Sequence, residues 1–161
     1  MIRPAAASDA DAMAHIYNHY ITNTIVTFEE DPIGAVDMAA RLVDVTAAAL
    51  PWIVLEQEGE VWGYAYASKW KDRYGYRFSV ESTVYLAPSA TGKGLGKQLY
   101  GRLVSILNEG PAHVVIGGIA LPNAASVALH ERLGFEKVAH FKAVGFKFDR
   151  WIDVGYWQRT L

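Results

Sequence analysis

The run Val84-Tyr85-Leu86-Ala87-Pro88-Ser89-Ala90-Thr91-Gly92-Lys93-Gly94-Leu95-Gly96-Lys97 decides the fold. An apolar strand ends at Pro88, crosses a loop of small residues, and enters a helix through glycines at 92, 94 and 96. A helix N-terminus carries unpaired N–H groups and partial positive charge, so it attracts an anion. Alternate glycines let a ligand lie against that backbone, because no Cβ intervenes. Lys93 and Lys97 add formal charge beside it. The run reads as a diphosphate cradle; the bland alternative is a glycine-rich turn with no ligand. A P-loop needs Gly-Lys-Ser/Thr, but Gln98 follows Lys97, and Thr91 stands where its first glycine would be. The dinucleotide pattern Gly-x-Gly-x-x-Gly fits Gly92 and Gly94 but fails at Lys97. Both nucleotide fingerprints are therefore excluded.

Composition narrows the class. The chain has 161 residues, 52% of them apolar, which predicts one globular domain over 1–161 with a core that needs neither disulfides nor metal. A net charge of −2 gives no electrostatic case for nucleic acid or an acidic membrane surface. Without cysteine there is no disulfide framework and no Cys-ligated metal, and the histidines show no paired ligand spacing, so no metal is expected. The start Met1-Ile2-Arg3-Pro4 has no signal-peptide pattern. The longest apolar run, Val114 to Leu121, is too short to span a membrane. A cytoplasmic location is expected.

The elements follow from periodicity. Ile2-Arg3 opens a strand. Ser8 and Asp11 resemble a capping box before a helix carrying Met13, Ile16, Tyr17, Tyr20 and Ile21. After the break at Asp31-Pro32, a second helix of about Ala35 to Val45 presents Met38, Leu42 and Val45. Trp52 to Glu56 and Val61 to Trp70 form a hairpin around Gln57-Glu58-Gly59-Glu60, and Ser79 to Leu86 feeds the glycine loop. The helix from Gly94 to Asn108 repeats leucine every fourth residue at 95, 99, 103 and 107. Val114 to Ala120 is a buried-type strand, Asn123 to Leu133 a helix ending at Gly134, and strands near Glu136 to Ala143 and Trp151 to Arg159 close the chain. The order β-α-α-β-β-β-α-β-α-β-β predicts an α/β domain with a mixed sheet and helices on both faces.

That order, with its glycine loop, resembles the GNAT superfamily of N-acetyltransferases. The family pattern Gln/Arg-x-x-Gly-x-Gly/Ala is met by Thr91-Gly92-Lys93-Gly94-Leu95-Gly96 in every place but the first, where Thr91 replaces a long polar side chain. A second pattern, Asn-x-x-Ala/Ser-x-x-Leu-Tyr-x-x-x-Gly-Phe, is met by Asn123 to Phe135 with His130 in place of tyrosine. Trp70-Lys71-Asp72-Arg73, Val80 to Tyr85, Leu129-His130-Glu131, Asp153 to Gln158, Asn18 to Ile21 and Val26-Thr27-Phe28 are similar to the phosphinothricin and methionine sulfone/sulfoximine N-acetyltransferases.

The resemblance implies acetyl-CoA as co-substrate and acetylation of the α-amino group of a small glutamate- or methionine-like amino acid, by direct attack in a ternary complex. It also implies a sheet, mostly antiparallel, in which the fourth and fifth strands splay apart to admit the pantetheine arm. Cofactor contacts are then expected from Val84, Tyr85, Leu86, Thr91, Gly92, Lys93, Gly94, Leu95, Gly96, Lys97 and Asn123. Gly117 and Gly118 mark either a close backbone approach or an ordinary bulge, and Asn123 either donates to the pantetheine, caps its helix, or does both.

Glu81 is the candidate base; the competing reading is an ion pair with Arg73 or Lys71, since a carboxylate on a central strand must be paired or functional. His130 is the candidate proton donor to the leaving thiolate, with Tyr85 and Tyr100 as rivals and simple packing as the bland alternative. Lys71 and Arg73 are candidate binders of the substrate's anionic groups, or a solvated loop; Phe28 is a candidate pocket wall, or core. A homodimer is expected from the family. The alternatives to a small-molecule acetyltransferase are a protein or peptide N-acetyltransferase and a catalytically silent CoA-binding module.

Overall fold

The computed structural model describes residues 1–161 and realises the expected order. Strands β1 (Ile2–Pro4), β2 (Trp52–Gln57), β3 (Glu60–Lys69), β4 (Ser79–Leu86), β5 (Val114–Ala120), β6 (Glu136–Lys147) and β7 (Arg150–Thr160) form one seven-stranded sheet in the order β1-β2-β3-β4-β5-β7-β6. Every pairing is antiparallel except β4 with β5. Helices α1 (Ala10–Asn23) and α2 (Ala35–Ala47) pack with Trp52, Val54 and Tyr64 on one face. On the other face α3 (Leu95–Glu109) packs with Ile53, Leu55, Ala65 and Val115; α4 (Ala124–Arg132) lies on the same side through Val127 and Leu129.

The leucine repeat of α3 explains its seat. Leu95, Leu99, Leu103 and Leu107 fall on one stripe and are all buried. Residues of β2 alternate between the two cores: Ile53 and Leu55 face α3 while Trp52 and Val54 face α1 and α2. The hairpin turn holds Glu58 (φ 53°) and Gly59 (φ 80°), two left-handed residues as a tight two-residue connection requires.

Three local expectations change. The Ser8–Asp11 capping box does not form. Asp9 dominates the turn instead, accepting from Ala6 N at 2.8 Å and from two Arg3 nitrogens at 2.8 and 2.9 Å. Charge-assisted, bidentate bonds outcompete a neutral serine cap. The second helix runs on to Ala47. Strand β6 also runs on, to Lys147, because a register shift between Phe141 and Gly145 carries it past the point where alternation fails. Asp153 holds that irregularity by accepting from Ala143 N at 2.8 Å.

Arg3 ties β1 both to Asp9 and, through Nε, to Glu56 Oε2 of β2 at 2.7 Å. Its guanidinium holds the Asp9 carboxyl below the usual carboxylate range. Asp9→Ala should therefore destabilise the fold by about 1–3 kcal/mol in urea unfolding at pH 7, since Arg3 and Ala6 N lose a buried acceptor. The difference should shrink as pH falls through the lowered Asp9 pKa, where the wild-type carboxylate is itself neutralised.

Candidate active site

The sheet opens where β4 and β5 part. They pair in parallel only at Ser79↔Val114, Val80↔Val115 and Glu81↔Ile116. Beyond that point β4 follows β3 as far as Leu86↔Gly63, and β5 follows β7 as far as Ala120↔Val154. A side chain stands where the ladder would continue. The buried Ser82 hydroxyl donates to Ile116 O at 3.3 Å and lies 2.6 Å from the Tyr100 hydroxyl, which rises from α3. Side chain-to-backbone bonding of this kind competes with strand pairing.

The glycine loop flanks the opening. After a single 3-10 turn at Pro88–Ala90, Gly92 (φ 74°) and Gly94 (φ 76°) adopt left-handed backbone, with no heavy atom within 4 Å of where either Cβ would be. A cavity of about 530 Å³ runs from this loop into the opening, lined among others by Val84, Tyr85, Leu86, Lys97 and Asn123. Of the residues expected here, all but Lys93 and Leu95 line it. Lys93 turns its ammonium over the Trp62 ring (5.2 Å), and Leu95 is buried in the core. Thr91 has a local job: its hydroxyl donates to Pro88 O at 2.8 Å and closes the turn. Asn123 caps α4 by accepting from Ser126 N at 3.1 Å, which leaves its amide N–H groups for another partner. The Leu86 carbonyl already accepts from Tyr20 Oη at 2.5 Å. Sequence reasoning missed Arg132, which lines the cavity with Ala125, Ala128 and Leu129. Their three- and four-residue spacing from one another was a legible helical signal.

A second cavity of about 260 Å³ lies deeper, lined by Val26, Phe28, Glu81, Tyr85, His130 and Tyr156 among others. Tyr85 and Ser126 border both cavities. Glu81 makes no ion pair with Arg73 or Lys71: the four salt bridges of the chain lie elsewhere. Burial, with no cation to offset it, raises the Glu81 pKa. His130 is buried, and its Nδ1 donates to Ser126 O at 2.7 Å. Burial lowers its pKa, so the ring is neutral and Nε2 presents a lone pair. Gly117 and Gly118 pair regularly with Trp157 and Tyr156 of β7, so they form no bulge. A Cβ on Gly117 would overlap the His130 ring, and one on Gly118 would sit 3.1 Å from Tyr156 Cε1 and 3.5 Å from Glu81 Oε1. Space for the catalytic candidates is what these glycines provide.

A family model for the acetyltransferase (GNAT) domain matches residues 2–155. The chain belongs to the GNAT acetyltransferase family. It is 39% identical over 161 residues to a phosphinothricin N-acetyltransferase of Alcaligenes faecalis, covering 99% of this chain and 82% of the relative. It is equally 39% identical, over 163 residues, to the L-methionine sulfoximine/L-methionine sulfone acetyltransferase of Salmonella typhimurium, covering 99% and 94%. The crystal structure of a GNAT phosphinothricin acetyltransferase from Sinorhizobium meliloti in complex with AcCoA superposes with a TM-score of 0.96 at 40% identity, over 100% of this chain and 88% of that one.

The GNAT assignment makes the chain an acyltransferase, and its cradle suits acetyl-CoA. Two left-handed glycines with open space above them, the free amides of the first turn of α3, Lys97 and Arg132 fit a diphosphate. The split beside Val84 and Tyr85 leaves strand edges to bond amides of an extended arm. Lys71 and Arg73, by contrast, do not reach Glu81: with Asp72 and Tyr76 they line a separate recess. Their loop, Trp70 to Phe78, carries its own turn of 3-10 helix and stands clear of the cavity. Only its base touches the wall, where Trp70 meets Tyr156 ring to ring at 5.5 Å.

A carboxylate whose pKa is raised by folding weakens the fold once it ionises. The cost is full above the folded pKa and vanishes below the ordinary value of 4.5. Glu81→Gln should therefore melt higher than wild type at pH 8, and the advantage should disappear below pH 4.5, as thermal unfolding across pH would show.

Proposed function

We propose that this GNAT enzyme acetylates the α-amino group of a small glutamate- or methionine-like amino acid, with phosphinothricin, methionine sulfone and methionine sulfoximine as the substrate class. One observation carries the reading. An unpaired, half-buried carboxylate and a neutral histidine nitrogen line one small cavity that adjoins the cradle. The cavity is sized for an amino acid, and the relatives named above act on amino acids of this type.

Acetyl-CoA supplies an activated acetyl thioester. The chain's residues then have to manage protons. The substrate amine arrives as an ammonium, and Glu81 takes its first proton, directly or through a water; a raised pKa suits the carboxylate to hold it. As the nitrogen becomes an amide it must lose a second proton. His130 Nε2, the bare nitrogen of a ring fixed through Nδ1–H, accepts this proton and then returns it to the leaving sulfur. His130 thus becomes an acid only after acting as a base. Tyr100 is engaged with Ser82 in the core beneath, burial keeps its phenol and that of Tyr85 protonated, and Tyr85 serves to wall the cavity.

Phe28 forms the apolar wall against the substrate side chain. Lys71 and Arg73 are assigned to the substrate's anionic groups, reached by closure of the Trp70–Phe78 loop about its contact with Tyr156. The enzyme is taken to be a cytoplasmic homodimer. The support for the dimer is the sheet edge, where Phe141, Val144, Phe146 and Trp151 of β6 and β7 are exposed.

Free-thiol release in the presence of acetyl-CoA tests the reading. Turnover is expected with methionine sulfone, methionine sulfoximine or phosphinothricin, and no release with any of these or with glutamate would overturn it. Glu81→Gln should lower kcat/KM by about 10²–10⁴-fold. The loss should be greatest between the raised Glu81 pKa and the pKa of the amine, where the wild-type base is ionised and the substrate is still an ammonium, and should shrink at higher pH.

A further inference from the structure

Strand β6 is 12 residues long and buries only Gly145 and Lys147. Both project to one face, two residues apart, and both meet the irregular segment between α1 and α2 that carries Val26, Thr27 and Phe28 into the Glu81 cavity. Lys147 is 1% exposed, and its ammonium donates to Ile21 O and Thr27 O, each at 2.7 Å. The first carbonyl belongs to the end of α1 and the second to the residue before Phe28. The third N–H side faces the Phe148 ring, 5.1 Å from its centroid. A buried lysine that makes no salt bridge is costly unless its position matters.

Gly145 has no left-handed φ, so its missing side chain concerns space alone. A Cβ there would overlap Phe28 Cζ, with Cε1 at 2.5 Å and Cε2 at 2.9 Å. The Phe28 ring therefore rests in a notch that only glycine leaves open. The rest of the segment is pinned from the other side: Thr27 Oγ1 bonds the Tyr17 hydroxyl at 2.8 Å, Tyr17 reaches Glu29, and Arg41 grips Glu29.

We propose that Gly145 and Lys147 are positioning residues that fix the Phe28 wall and thereby set how large an amino-acid side chain the cavity accepts. Lys147 sets the height of the wall by holding the Thr27 carbonyl. Gly145 sets its depth by letting the ring retreat to β6. This inference rests on the amino-acid reading of the cavity. A methyl group at 145 forces the ring forward into the space the substrate side chain would take.

In the full-length enzyme, Gly145→Ala should raise KM for methionine sulfone about tenfold or more, as expected when one methyl group intrudes on a side-chain pocket. KM for alanine and KM for acetyl-CoA should each change less than about twofold on the same steric ground. Phe28→Leu added to Gly145→Ala should recover the larger substrate. An equal loss for both amino acids, or no change, would overturn the proposal. A readout without substrate is amide hydrogen exchange of Lys147→Met. The segment 24–33 should exchange about tenfold faster or more while α3 keeps its protection, the sign of a local rather than global opening. Unchanged exchange there would equally overturn it. Wild-type enzyme inert toward every amino acid would refute the proposed function instead, and the exchange comparison would still decide whether Lys147 holds the wall.

Discussion

Everything in this molecule depends on one lost interaction: β4 and β5 stop pairing after Glu81↔Ile116. A continuous sheet would separate its two faces by a layer of backbone. Glu81 belongs to the α1–α2 side of that layer, together with Thr83 and Tyr85. His130 comes from α4 on the other side, packed on Tyr100 and Phe135. They line one cavity only because the layer is open between them. The same opening leaves backbone groups of β4 without partners, and an unpaired strand edge is what an extended amide-bearing arm can bind. Cofactor site and proton-handling site are thus two consequences of a single interruption.

The interruption costs stability, and the fold offsets it around the site. The Ser82 hydroxyl satisfies Ile116 O, and Tyr100 satisfies Ser82, so the fork of the sheet leaves few orphaned polar groups. Core leucines of α3 hold β3, β4 and β5 from beneath. Two groups then remain charged against burial, an uncompensated carboxylate at 81 and an ammonium at 147, while burial holds the imidazole at 130 neutral. Each faces or supports the same cavity. Clustering of such groups is the signature of a site maintained for chemistry rather than for stability.

Much of this was legible in the sequence, and the reasons differ by level. Element order followed from the leucine spacing of α3, the alternation of β2 through β4 and the glycine punctuation at 59, 92, 94 and 134. The cradle was legible because glycine and helix start are adjacent in the chain. Interactions between distant residues were not. Nor was a nearer pair, Arg3 and Asp9, six residues apart, where the side chain from β1 displaces the Ser8 cap without any helix or strand period to mark it. Gly117 and Gly118 looked like a bulge or a ligand contact, yet they make room for His130 and for Tyr156 and Glu81, approaching from opposite faces. Lys71 and Arg73 have the right chemistry for an anion but stand in a recess of their own. The end of β6, with Gly145 against Phe28 and Lys147 on Thr27, pairs residues more than a hundred positions apart.

The central claim is that the backbone of β4 beyond Glu81 is open in the free protein and becomes bonded when the cofactor arrives. Residue-resolved amide exchange of the intact protein, with and without acetyl-CoA, tests it directly. Amides of Ser79–Glu81 should be protected in both states. Those amides of Ser82–Leu86 that point away from β3 should exchange rapidly in the free protein and slow markedly with acetyl-CoA. Protection of those amides in the free protein, or indifference to acetyl-CoA, would contradict the account.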